Sequence, residues 1–220
     1  MTASSTPDRG PATPPLVMEV WSDYVCPFCY LEIPVLDRLQ RDYGAALTLQ
    51  WHAFELRPDP VPTLQPDGEY LRDTWARAVY PMAAERGMTL RLPPVQPRSR
   101  LAFEAVAHAR VHGLGDQMHR AVFRAFFEQG LDIGDPAVLG DLGASVGLDA
   151  EALQANLAAG VYTTSVHADQ RLAQDLGIRG VPMMVLRRAG EPLSQGLGVS
   201  GAQPEAVLRS AITELLSRDI

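Results

Sequence analysis

Cys26 and Cys29 are the only cysteines in the chain, and they stand as Cys-x-x-Cys within Val20-Trp21-Ser22-Asp23-Tyr24-Val25-Cys26-Pro27-Phe28-Cys29-Tyr30. Two thiols at this spacing can form and break a disulfide reversibly by thiolate attack. Whether they do so depends on the elements that carry them. An apolar run, Leu16 to Trp21, leads in and reads as a buried strand, and an amphipathic run, Tyr30 to Tyr43, leads out and reads as a helix. Pro27 fits the first helical position, where its missing N–H is not needed. Cys26 then becomes the cap residue, with its sulfur toward the unpaired N–H groups of the first turn. The thiolate is favoured there, which makes Cys26 the expected nucleophile. Cys29 lies one turn further on the same face, in reach to close a disulfide.

Two other uses of such a pair stand beside the redox one. Half a zinc site needs two more ligands, and there is no second cysteine pair; the histidines, at 52, 108, 112, 119 and 167, lie far from the motif in sequence. A purely structural disulfide closing so short a loop would constrain little of the unfolded chain. Strand, Cys-x-x-Cys, helix is the context that favours redox chemistry.

Composition narrows the classes further. The chain has 220 residues and a net charge of −7, which argues against a nucleic-acid partner or an anionic membrane surface. Every basic side chain is arginine; lysine is absent. That removes Schiff-base chemistry and a Walker-type phosphate loop. No apolar run approaches the ~20 residues of a membrane span. Residues 1–15 are polar and rich in Pro, Ser and Thr, without the basic start and apolar stretch of a secretory signal. They read as a disordered tail on a cytoplasmic protein, a compartment in which a lone cysteine pair is catalytic more often than structural.

The elements that must position the pair follow in order. Pro34 inside the first helix is expected to kink it. Residues 46–54 read as a second strand, with Leu47, Leu49 and Trp51 on one face and Thr48, Gln50 and His52 on the other. A proline-rich connector, residues 57–68, comes next. From about Glu69 to Leu176 the pattern is helical: 69–87, with Pro81 able to split it, then 100–112, 117–129, 136–147, 150–160 and 163–176. Asp135 and Asp149 are the predicted caps of two of these. A proline-rich loop spans residues 91–98. Residues 181–187 form a late strand, 191–199 its predicted hairpin partner, and 204–216 a terminal helix with Val207, Leu208, Ile212, Leu215 and Leu216 as its buried stripe. Strands at both ends and helices between predict an α/β fold: one sheet, built from residues 16–65 and 178–220, with a helical domain, 66–177, inserted into it.

The motifs also resemble a known family. Cys-Pro-Phe-Cys after a strand, Pro34 five residues past Cys29, and Gly180-Val181-Pro182 opening the late strand together resemble the thioredoxin fold. The long helical insertion narrows the resemblance to the DsbA-like oxidoreductases. Phe54-Glu55-Leu56-Arg57-Pro58, Phe126-Phe127-Glu128, Asp132-Ile133-Gly134-Asp135-Pro136 and Val199-Ser200-Gly201-Ala202-Gln203-Pro204 resemble the FrnE-type subgroup. Met183-Met184 depart from it, standing where aromatics are common. The resemblance implies a thiol–disulfide oxidoreductase in which Cys26 attacks and Cys29 resolves. It implies a cis Pro182 beside the pair, leaving the backbone of Val181 free to pair with substrate. No cofactor beyond the redox-active disulfide is implied; glutathione or another thiol is a candidate co-substrate. The partner is a disulfide- or dithiol-bearing protein or a small thiol.

Around the pair, Pro27, Phe28, Val181 and Met183 are the expected substrate-binding residues, with Met184 either beside them or in the core. Asp23 is a candidate proton relay for Cys29, or a turn cap. Glu19, inside the first strand, is expected to point to solvent; the alternative is a buried carboxylate serving the same relay. Gly196-Leu197-Gly198-Val199-Ser200-Gly201 matches a dinucleotide pattern, but too little chain follows it for a βαβ unit. His108 and His112 lie one helical turn apart, without a patterned third ligand. Two competing functions remain: a glutathione-dependent isomerase or transferase of the 2-hydroxychromene-2-carboxylate isomerase or kappa-class type, needing one nucleophile, and a non-catalytic chaperone-like binding module.

Overall fold

The computed structural model describes residues 16–217; the tail expected at residues 1–15 and the last three residues lie outside them. Strand β1, Leu16–Ser22, is buried along its whole length. Helix α1, Pro27–Tyr43, returns the chain to β2, Leu47–Ala53, which pairs parallel with β1. The late strands β3, Met183–Arg188, and β4, Leu197–Ser200, form an antiparallel hairpin, and β3 also pairs antiparallel with β1. The sheet order is β2-β1-β3-β4. A strand flanked on both sides, with both faces covered, must be apolar almost throughout, and Leu-Val-Met-Glu-Val-Trp-Ser is, save for Glu19 and Ser22.

Alternation sorts the two faces of the sheet. Leu16, Met18, Val20, Met184 and Leu186 meet Val35, Leu36 and Leu39 of α1 and Leu208, Ile212 and Leu215 of the terminal helix, Glu205–Ser217. That helix buries a narrower stripe than its sequence suggests: Val207 is 41% and Leu216 44% exposed. The opposite face packs Trp21 and Val185 with Phe54, Ala173 and Ile178.

Between Ala53 and Met183 the chain is helical. Helices α2, Glu69–Thr74, and α3, Tyr80–Glu85, are joined by a π-helical turn, Trp75–Val79. Pro81 has no N–H to return to the preceding turn, and the helix widens there instead of splitting. Helices α4, Arg100–Val111, and α5, Gly115–Arg124, follow, and α5 runs into a second π-helical turn, Ala125–Gln129. Helices α6, Pro136–Ser145, α7, Ala150–Ala158, and α8, Thr163–Asp175, complete the set, which makes the terminal helix α9. The predicted caps form: Asp135 accepts from Ala137 N at 2.8 Å and Asp149 from Ala152 N at 3.0 Å. Helix α1 runs through Pro34 without interruption.

The free edge of β2 is covered by side chains. Asp169 of α8 accepts from Ala53 N (2.9 Å), and Arg110 of α4 donates to Trp51 O (3.2 Å). Such pairing spends backbone groups that would otherwise template another strand. The largest hydrophobic cluster belongs to the helices, yet it takes in Tyr24, Cys26, Cys29 and Tyr30. Tyr30 stacks on Phe123 and Phe127 at centroid distances of 5.3 and 5.6 Å. The start of α1 is therefore clamped between the sheet and the helical layer.

Candidate active site

Cys26 is the residue before the first turn of α1, in extended backbone conformation, with Pro27 next. Its carbonyl accepts from Cys29 N (3.1 Å) and Tyr30 N (3.4 Å). Its sulfur does not cap the helix, contrary to expectation. A thiol is a weak acceptor, and Pro27 withdraws one of the donors. Cys26 Sγ instead donates to Val181 O at 3.5 Å. The Val181–Pro182 peptide is cis, and it is the Val181 carbonyl of that peptide that meets Cys26 Sγ. Both cysteines are free thiols.

The two sulfurs have different surroundings. Cys26 is 4% exposed but lines a cavity of about 290 Å³. Pro27, Phe28, Gly180 and Val181 line the same cavity. Cys29 is 1% exposed and lines none of it. Asp23 N donates to Cys29 Sγ at 3.4 Å. Burial pushes the Cys29 thiol well above its usual range, and the adjacent Cys26 adds to the shift; Asp23 N–H and Ser22 oppose it.

Asp23 is 0% exposed. Its Oδ2 accepts from Leu56 N (2.7 Å) and its Oδ1 from Val25 N (3.3 Å). It does cap the turn, but it is also perturbed. Burial raises its carboxyl to about 6, against the pull of donors from Ser99, Leu56 and Val25. No cation is paired with it among the described residues. Such a group can take up and release a proton near neutral pH.

The wall opposite Cys26 was not legible from the motif. Leu56, Arg57, Thr63 and Leu64 come from the proline-rich connector, and Pro93, Gln96 and Pro97 from the second proline-rich loop. Trp75 and Phe127 come from the two π-helical turns, a distortion often found where a helix serves a site. Two motifs singled out in the sequence reach this wall: Phe54-Glu55-Leu56-Arg57-Pro58 through Leu56 and Arg57, and Phe126-Phe127-Glu128 through Phe127, while Glu128 accepts from Tyr30 OH at 2.5 Å. Met183 is not in the wall. It packs beside Trp21, Phe54 and Val181, while Met184 is fully buried in the sheet core.

Glu19 corrects the expectation placed on it. It is 2% exposed, bound to Arg187 (2.5 Å) and His52 (2.7 Å). The dinucleotide-like glycines serve packing: a Cβ on Gly196 would stand 2.5 Å from Val185 Cγ1, and one on Gly198 2.8 Å from Met183 Cε. His108 hydrogen-bonds Asn156 (3.1 Å). No group of three metal-capable side chains occurs among the described residues. A separate cleft of about 450 Å³, lined by residues that include Trp51, Arg110 and His119, holds no thiol.

A four-stranded sheet with a helical layer between its halves, carrying one cavity-lining and one fully enclosed thiol at a helix start, defines a thioredoxin-fold protein of the oxidoreductase or isomerase type. The chain belongs to the DSBA-like thioredoxin domain family, whose model matches residues 17–213. It is 30% identical to the uncharacterized protein YwbO of Bacillus subtilis (strain 168) over 201 residues, 90% of this chain and 96% of YwbO. The crystal structure of the probable DsbA oxidoreductase SCO1869 from Streptomyces coelicolor superposes with a TM-score of 0.74 at 27% identity, covering 92% of this chain and 91% of that one. The cytosolic disulfide reductase DsbM from Pseudomonas aeruginosa, solved also with GSH, shares the fold at a TM-score of 0.66 and 23% identity, covering 90% and 99%. No helix among the described residues is long and apolar enough to cross a membrane.

Proposed function

We propose that this chain is a thiol–disulfide oxidoreductase that works through Cys26 and Cys29. The observation that carries the reading is the asymmetry of the pair: one sulfur opens onto a cavity, the other is buried against the amide of Asp23, a residue whose carboxyl is itself raised to about 6. The Cys26 thiolate attacks a substrate disulfide; one S–S bond breaks, one thiolate leaves, and a mixed disulfide joins Cys26 to the other half. Cys29 then gives up its proton and attacks Cys26 Sγ. The mixed disulfide breaks, the second thiolate leaves, and the Cys26–Cys29 disulfide has taken the two-electron loss that reduced the substrate. Run backwards, the same steps oxidise a dithiol. Asp23 is the acceptor of the Cys29 proton in this scheme.

Pro27, Phe28 and Val181 would meet the substrate from the Cys26 side, with Trp75 and Phe127 opposite. The substrate class is a disulfide- or dithiol-bearing protein or a small thiol such as glutathione, with no cofactor beyond the pair itself. A reducing, cytoplasmic setting goes with this reading. It is tested by turnover of glutathione disulfide and of a reduced dithiol peptide. Cys26→Ser and Cys29→Ser are each expected to lose at least a hundredfold. Activity that survives Cys29→Ser but not Cys26→Ser would favour the one-nucleophile isomerase or transferase. Indifference to both would leave a binding module.

A further inference from the structure

Ser22 ends β1, one residue before the amide that reaches Cys29 Sγ. It is buried, and its carbonyl is already used by Phe54 N at 3.1 Å. Its hydroxyl has no hydrogen-bond partner. Buried polar atoms are nearly always paired, so an unpaired one calls for a reason. Alternation along β1 puts the side chain on the sheet face that α1 covers, with Met18 and Val20, and Ser22 is among the groups that ease ionisation of the Cys29 sulfur. A protonated thiol is a poor acceptor, whereas a thiolate is a strong, charged one. A thiolate at Cys29 would give this hydroxyl the kind of acceptor it lacks.

We propose that Ser22 is a positioning residue for the resolving step: its hydroxyl donates to the Cys29 thiolate while that sulfur attacks the Cys26 mixed disulfide. This rests on the exchange reaction proposed above. Ser22 forms no covalent bond and moves no proton. The Cys29 proton leaves to Asp23, the S–S bond forms between Cys29 and Cys26, and the bond from Cys26 to the substrate sulfur breaks, its electron pair departing with that sulfur. With the Asp23 amide, the serine supplies a second donor in a place closed to water. Cys26 is the titratable side chain that acts on Cys29, and Asp23 reaches that sulfur through its backbone amide.

The test follows the mixed disulfide itself. Reduced full-length protein is mixed with glutathione disulfide and quenched in acid, and intact mass separates the glutathione adduct from the internal disulfide. In Ser22→Ala the adduct is expected to decay about tenfold more slowly than in wild type, with its pH midpoint raised by about one unit. Ser22→Thr, which keeps the hydroxyl, is expected to decay near the wild-type rate. Unchanged decay in Ser22→Ala overturns the proposal. Equal slowing in both variants also overturns it, because packing and not the hydroxyl would then be responsible. Should wild type form neither the adduct nor the internal disulfide, the exchange reaction falls too, so the two failures are distinguishable.

Discussion

Two carboxylates are buried along one stretch of chain, four residues apart, and their surroundings set them to different tasks. Glu19 sits inside β1 among cations: Arg187 from β3 and His52 from β2, which also binds Asp169 of α8 at 2.9 Å. Burial pushes its carboxyl up, but hydrogen bonds and charge from His52 and Arg187 win, and the net shift is downward. Burial likewise works against His52, yet Asp169 and Glu19 raise it to about 9. Asp23, just past the strand, has only N–H and hydroxyl donors, and burial lifts it to about 6. A buried acid paired with cations stays ionised and fastens strands together. One held by neutral donors alone keeps a proton within reach of neutral pH, the property the proposed relay to Cys29 draws on.

The largest expected effect comes from breaking the ionic site. Glu19→Gln would leave Arg187 and His52 buried without their partner and is expected to lower unfolding free energy by about 3–5 kcal/mol, read by urea denaturation. Exchange by the folded fraction is expected to change little, and an equal loss of exchange would erase the distinction between the two acids. A pH titration of stability sharpens the contrast. His52 is raised in the folded state, so its contribution is complete below its unfolded value of 6.5 and is lost as pH climbs through about 9.

Asp23 is also raised, so its contribution is complete below 3.8 and is lost as pH rises through about 6. Relative to wild type, Asp23→Asn is therefore expected to gain stability between those two values, on the order of 3 kcal/mol. A flat difference would mean that Asp23 does not titrate in this range. In exchange, Asp23→Asn is expected to slow decay of the glutathione adduct by about tenfold to a hundredfold and to remove an inflection near pH 6. Stopped-flow mixing followed by acid quench reads both.

The contrast marks where the sequence was readable. The strand, the Cys-x-x-Cys, Pro27 at the helix start and the capping aspartates are local signals, and each formed as expected. Asp23 could be singled out because it lies beside the motif. Glu19 was misjudged because its partners are remote: Arg187 is 168 residues away, and only the β1–β3 register brings it there. The cavity wall escaped for the same reason. Pro93, Pro97, Trp75 and Phe127 carry no chemical signature, and they meet Cys26 only after the helices pack. Met183 and Met184 illustrate a third limit. Alternation separates them, but sequence does not say that one face meets α1 and α9 and the other Trp21 and Phe54.

The most direct measurement is to trap the first intermediate. Cys29→Ser and Cys26→Ser proteins are each held with glutathione disulfide, and the modified residue is mapped by mass. A stable adduct on Cys26 in the first, with none on Cys29 in the second, is the expected result. Modification of Cys29, or of neither cysteine, would contradict the division of labour between an accessible attacking sulfur and a buried resolving one.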